Sequence, residues 1–319
     1  MPMLRLLPTD KTISFLKLKF LTGIFSVFLV AGSLLLWVVA GLNTGIDFRG
    51  GFVLEAKSLS GPADIEGLRK SLGDLNLGDI SLQEFGSESE VLIRIQSQDE
   101  DAGNGLTDVN KEAIKQVQQS ISDSYEIRRT EYVGAVVGSE LQQKALYAII
   151  AALGSIMIYI WFRFEWPFAI SAILALAHDV ITTVGLFALT GIEFNLATVA
   201  ALLTIAGYSI NDTVVIFDRI RDNLRKYKSW SNIEIINFSL SQTLSRTLMT
   251  SVTTLIALLA IYFFGGAVLG GFALAMIWGV IIGTYSSIFV ASTILSRFDL
   301  RPSDDDDMLP THERNDKTS

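Results

Sequence analysis

Residues 207–221, GYSINDTVVIFDRIR, read as the end of an apolar helix that Asn211 and Asp212 interrupt before Asp218 and Arg219 close it. What a carboxylate does there depends on what surrounds the helix. Half of the 319 residues are hydrophobic and only 18% are charged. The mean hydropathy is +0.43, which suits a polytopic membrane protein rather than a soluble domain. A helix needs roughly 20 apolar residues to cross about 30 Å of hydrocarbon. Six stretches qualify: 20–42, 145–162, 168–190, 194–217, 245–264 and 267–295. Asp212 falls in the fourth, roughly 8–9 Å from its C-terminal end.

Working outward, Lys and Arg set the orientation. They crowd the N-terminal arm, Arg163 and the loop DRIRDNLRKYKSW, while the turns GIEFN and GGAVLGG have none. The positive-inside rule then puts both termini in the cytoplasm. The apolar run Phe20–Leu42 is longer than a signal-peptide core of about 7–15 residues, so it reads as a retained anchor. The expected layout is an N-terminal arm at 1–19, a first span at 20–42, a periplasmic domain at 43–144, five spans within 145–295 and an acidic tail at 296–319. In the domain, GFVLEAK, DISLQEFG, EVLIRIQ and YEIRRTEYVG alternate as strands, and ADIEGLRKSLGDL and LTDVNKEAIKQVQQSI have helical spacing. SQDEDAGNG reads as a solvated loop. The order β-α-β-β-α-β is the ferredoxin-like split unit, an α+β fold shared by many unrelated functions.

The net charge of −8, much of it from Asp304–Asp307, argues against a nucleic-acid partner, which needs a basic surface. With no cysteine, disulfides, thiolate nucleophiles and thiolate metal sites are ruled out. No phosphate loop, dinucleotide fingerprint, His-rich metal spacing or G-x-S-x-G elbow occurs. Asp179 and Asp212 invite comparison with intramembrane aspartyl proteases, but Asp212 follows SIN rather than the G-x-G-D context of that class. Neither an enzymatic activity nor a cofactor is expected.

An ionisable side chain in the middle of a span costs about 2.5–3.5 kcal/mol on insertion scales, so each one needs a reason. Arg246 enters the fifth span from the same side as Asp212, and an ion pair between them is geometrically open. Along the fifth span Ser239, Gln242 or Thr243, Arg246, Thr250, and Thr253 or Thr254 recur at three- to four-residue steps. In the fourth, Thr204, Tyr208 and Asp212 share a face next to Asn211. Two such stripes facing each other would form a hydrated path in which Asp212 exchanges a proton under the influence of Arg246. The alternatives are a static pair holding two helices together, or an arginine that snorkels to the interface. His178 and Asp179 lie near the middle of the third span. Adjacent helical positions point about 100° apart, so the two are not expected to face each other. His178 reads either as a hydrogen-bonded structural histidine or as a relay member.

Just past the first span, Gly50 and Gly51 in GIDFRGG permit φ > 0 or a close backbone approach, and Asp47 and Arg49 are placed to bridge locally. These four read as a coupling joint between membrane and domain. Gly279 and Gly283 form a small-xxx-small pair, suited to packing either within the chain or against a partner.

Four stretches in register, NTGIDFRGG (43–51), RFEWPFAISAILALAHDV (163–180), GIEFNLATVAALLTIAGYSINDTVVIFDRIRDN (191–223) and SLSQTLSRTLMTSVTTLIALLAIYFFGG (239–266), resemble the SecD/SecF family of protein-export membrane proteins. That family lies within the resistance-nodulation-division transporter superfamily, and the likeness is to its smaller, six-span member. It covers roughly residues 20 to 296. Ala135 stands where the family pattern has proline, and Pro167 where a basic residue is common. The resemblance implies half of a twelve-span transporter, with SecD as the other half. It implies work beside the SecYEG channel in the inner membrane, with YajC or YidC in the same assembly, and use of the proton-motive force to draw preproteins outward. Asp212 and Arg246 match the family's charged positions linked to proton passage. Two other readings are a direct proton-driven exporter of a small amphiphile or lipid, and a subunit that stabilises the channel without ion flow.

Overall fold

The computed structural model describes residues 12–300 apart from 79, 86 and 97–107. The SQDEDAGNG loop, the acidic tail from Asp304 and most of the N-terminal arm lie outside the described residues. A 3₁₀ turn at Phe15–Leu18 leads into α1, Lys19–Ala40. A short helix, α2 (Ile46–Arg49), then enters an inserted domain built from β1 (Gly51–Ser58), α3 (Ile65–Gly73), β2 (Ile80–Phe85), β3 (Ser87–Ile95), α4 (Asp108–Ile121) and β4 (Tyr125–Val133). Five long helices follow: α5 (Ala135–Arg163), α6 (Trp166–Thr190), α7 (Leu196–Lys226), α8 (Asn232–Phe264) and α9 (Gly266–Tyr285). The last of these continues through a π-helical segment, Ser286–Ala291, into α10, Ser292–Leu295. Among the described residues, six helices are long and apolar enough to cross a membrane.

The helices run past the apolar stretches because polar residues extend and cap them. Helix α7 starts at a capping box in which Asn195 and Thr198 satisfy each other's backbone N–H groups, and Ser231 and Glu234 do the same for α8. Between α5 and α6 only Phe164 and Glu165 intervene, and Pro167 sits in the first turn of α6, where its missing N–H does no harm.

The inserted domain has the expected β-α-β-β-α-β succession. Its four strands form an antiparallel sheet in the order β2-β3-β1-β4. Alternation along β1 and β3 sends Phe52, Leu54, Ala56, Val91, Ile93 and Ile95 to one face, where Leu68 and Leu72 of α3 and Val117 and Ile121 of α4 cover them. The opposite face carries Val53, Glu55, Leu92 and Arg94 and looks toward the ends of the long helices.

In hydrocarbon, burying apolar surface against another helix gains little over lipid contact, so close packing of small residues decides the bundle. Gly279 lies against Ile205, Gly283 against Ser209, and Gly185 against Ser33 of α1. The Gly279/Gly283 pair thus packs against α7 of its own chain. Two apolar clusters flank the mid-bundle, one around Phe164, Phe168, Phe217 and Ile236 and the other around Phe187, Leu202, Ile205 and Val280. Replacing Gly279 with Leu should force Ile205 aside and lower stability by about 1–3 kcal/mol. The same change at Gly154, where an added side chain meets open space, should leave it unaltered. Thermal unfolding of the purified variants in detergent compares the two, and equal effects would contradict this packing.

Candidate functional site

The mid-bundle holds two carboxylates on neighbouring helices, and their surroundings differ. Asp179 of α6 is fully buried. Its Oδ2 accepts from the Ser209 hydroxyl of α7 at 2.5 Å and from the Ser286 hydroxyl of the π segment at 2.6 Å. Its Oδ1 lies 2.9 Å from Nδ1 of His178, and its backbone carbonyl accepts from Thr182 and Thr183. Contrary to the expectation from helical geometry, His178 and Asp179 face each other. The 100° between successive Cβ directions is thus spanned by the two side chains themselves, which bring Nδ1 within 2.9 Å of the carboxylate. The network extends outward. The His178 ring lies 6.1 Å from that of Tyr285, whose hydroxyl donates to the Thr22 carbonyl and bonds Ser26 of α1. Thr213 of α7 and Ser287 pair at 2.8 Å. The π segment presents Ser286 and Ser287 to two different helices, consistent with the tendency of π-bulges to fall at functional positions.

Asp212 lies one turn beyond Ser209 on α7. It is only 4% exposed, and its Oδ2 is buried without a hydrogen-bond partner among the described residues. Among the described residues the ion pair with Arg246 that the sequence left open is not formed within 4.0 Å. Helix α8 explains this. It turns Ser239, Thr243, Thr247 and Ser251 into the bundle and leaves Arg246 and Thr253 on its open face, with Thr250 and Thr254 half-buried. The polar stripe of α8 that faces the bundle is therefore rotated by about one residue from the expected one. On α7, Thr204 and Asn211 are exposed and Tyr208 is half-buried. The Tyr208 hydroxyl donates to Thr254 at 3.4 Å, which joins the open edges of the two helices. Toward the C-terminal end of α7, Arg219 and Asn223 donate to Gln242 of α8, and Arg163 forks onto Asp218.

At the four residues expected to form a joint, Gly50 and Gly51 adopt φ of 73° and 131°, values that glycine permits. Asp47 and Arg49 do not bridge each other, because each has another partner. Asp47 Oδ2 accepts from the backbone N–H of Leu196 at 3.0 Å, so it caps α7, and Arg49 donates to Thr44 at 2.5 Å. Around them Thr44 and Phe194 form a parallel bridge, Gly45 N–H donates to the Phe194 carbonyl and Phe194 N–H to that of Asn43. The segment entering the domain is thus knitted to the α6–α7 turn. Arg94 of β3 adds an ion pair to Glu193 in that turn.

Sequence reasoning singled out Asp212, Arg246, His178 and Asp179 but not Ser209, Ser286, Arg94 or Glu193. The adjacent Ser286 and Ser287 in the last span were the visible signal for Ser286. Among the described residues no group of three or more His, Asp or Glu is placed to hold a metal ion.

The family described as protein export membrane protein SecD/SecF, C-terminal, matches residues 113–301. Protein translocase subunit SecF of Cereibacter sphaeroides is 45% identical over 92% of this chain and 91% of its own length. The subunit of the same name from Vibrio alginolyticus is 42% identical, with 92% and 91% covered. Among solved structures, SecDF, a translocon-associated membrane protein from Thermus thermophilus, superimposes with a TM-score of 0.81 at 35% identity over 92% of this chain. A SecDF in a super-membrane-facing form gives 0.65 at 36% identity over 90%. The chain spans 39% of the length of each of these two structures. It belongs to the SecD/SecF family of protein export membrane proteins.

Proposed function

We propose that the chain is the SecF-type subunit of the Sec translocase and couples the proton-motive force to preprotein export together with SecD. The observation that carries this reading is the contrast between the two carboxylates. Asp179 is fixed by three side chains and serves as the hub of the bundle. Asp212 is buried and without a hydrogen-bond partner among the described residues, on the helix next to the one that carries Arg246 on its open face. An unpaired carboxylate in hydrocarbon is stable only if it can be neutralised, so Asp212 is the group that takes up and releases a proton. Arg246, Tyr208, Asn211 and Thr250 line its approach. His178 and Asp179 hold the neighbouring packing against which Asp212 works. Each proton crossing 100 mV supplies about 2.3 kcal/mol, a bias of about 50-fold in a two-state equilibrium.

In this reading the protein lies in the bacterial inner membrane with both termini cytoplasmic. Residues 43–144 form a ferredoxin-like periplasmic domain, an assignment supported by the strand order β2-β3-β1-β4. The partners are SecD, the SecYEG channel with YajC or YidC beside it, the preprotein and the bilayer, with no nucleic acid. No catalytic step is assigned. The direct-exporter alternative has no support among the relatives, which are named as translocase subunits.

Two outcomes test this division of roles. In inverted vesicles at fixed ATP, Asp212→Asn should assemble normally and reduce gradient-stimulated completion of a secreted precursor to the level without a gradient. Full stimulation with Asn at 212 would remove the proton role. Asp179→Ala should instead destabilise the protein, at about 1–3 kcal/mol for each buried donor left without an acceptor. Asp212→Asn should not lower the unfolding temperature in detergent, and the reverse ranking would contradict the assignment.

A further inference from the structure

The inserted domain joins the bundle through two covalent connections, and both leave the same half of its sheet. The chain enters through β1 and exits through β4, which are neighbours, with Gly51 paired to Val133 at the bundle end. The two connections also touch each other, since Gly138 of α5 packs against the backbone of Phe48 and Gly50. Two adjacent attachments define a hinge line, beside which Ile46 of α2 packs on Val53 and Leu92, and no covalent connection to the bundle holds the β2 edge. Between this second sheet face and the helices lies a half-open cavity of about 820 Å³, bordered by Glu55, Arg129 and Glu131 on the domain and Tyr262 and Gly270 on the bundle. The sheet is therefore not packed down onto the helices at this place.

The ion pair between Arg94 and Glu193 spans the same gap. Arg94 lies on β3 opposite Val53, one strand away from the hinge line on the side without a covalent connection. Glu193 lies in the turn that ends at Asn195, the cap of α7. Both side chains are largely buried, at 12% and 19% exposure. A second donor of Arg94 reaches Gln83 of β2 at 3.1 Å, so the guanidinium gathers β3 and the edge strand β2. On the other side, the Glu193 carboxylate rests against Gly45, where any larger residue would displace it.

We infer that the Arg94–Glu193 pair makes the whole domain follow the N-terminal end of α7. Arg94 and Glu193 are then positioning residues for gradient-driven export, an inference that rests on the function proposed above. The hydrogen bonds around Asn43, Gly45 and Asp47 fix only the entering segment. The ion pair converts a hinged attachment into a rigid one, so a displacement of the helix carrying Asp212 reaches the sheet undiminished.

Charge exchange in the full chain, assembled with its SecD partner in inverted vesicles, tests the tie. Arg94→Glu and Glu193→Arg should each reduce the gradient-dependent increment in export at least several-fold while ATP-driven export and assembly persist. The double exchange should recover most of the increment. A merely structural contact would lower both components together. As a second arm, the chain contains no cysteine, so Arg94→Cys with Glu193→Cys can be joined by a short bis-maleimide, and stimulation should survive the link. Full stimulation in both single variants, a double exchange no better than the singles, or loss of stimulation on linking would each overturn the inference. Spin labels at Ser60→Cys and Leu189→Cys separate its failure from failure of the proton reading. If Asp212→Asn leaves export unchanged, the proton reading fails. The tie then stands if the single charge variants broaden the label distance and the double exchange narrows it again, and falls if they do not.

Discussion

A carboxylate in hydrocarbon must be surrounded by donors or be able to become neutral, and that constraint organises this molecule. Asp179 meets it by position. It draws hydroxyls from α7 and from the π segment after α9 and an imidazole from its own helix, and its neighbours reach α1 through Tyr285. Four helices are thereby held to one buried point. In a bundle whose apolar faces would be nearly as well off against lipid, such directional bonds and glycine contacts fix which helix meets which. Asp212 shares the helix and almost the depth of Ser209 but has none of these partners. In the proposed function, the same constraint that makes one aspartate structural leaves the other available for protonation.

Helix α7 links the chemistry to the domain. It contributes Ser209 and Thr213 to the hub, carries Asp212 one turn on, and begins where Asp47 caps it and the entering strand pairs with its turn. An α-helix of 31 residues spans about 46 Å and is stiff on that scale, so events at Asp212 and at the domain boundary share one element. Arg246 lies on the open face of α8, so the surface beside Asp212 is one a second subunit would complete. That fits a chain which spans 39% of the SecDF structures it resembles.

Much of this was legible in the sequence for identifiable physical reasons. Span length, the Lys and Arg asymmetry and the alternation of apolar residues are local properties, and six apolar helices and the βαββαβ succession followed from them. The glycines after Arg49 announced positive φ, and Asp212 announced itself by its setting. The failures involve side-chain partners that periodicity does not encode. His178 and Asp179 meet through their side-chain ends, whose reach a helical wheel omits. Asp47 turned to a backbone N–H 149 residues away rather than to Arg49, because a helix start offers unpaired donors. The polar stripe of α8 was displaced by one position, since its rotation is set by contacts with α7 and α9. Arg94 and Glu193 were separated by 99 residues and each looked like an ordinary surface charge.

The central claim is that Asp212, and not Asp179, exchanges the proton. Infrared difference spectroscopy of the membrane-embedded complex, recorded while the pH is stepped, reads the carbonyl band of a protonated carboxyl group directly. A titrating band lost in Asp212→Asn and kept in Asp179→Asn is the predicted result. A titrating band that survives Asp212→Asn and disappears with Asp179→Asn would contradict the account.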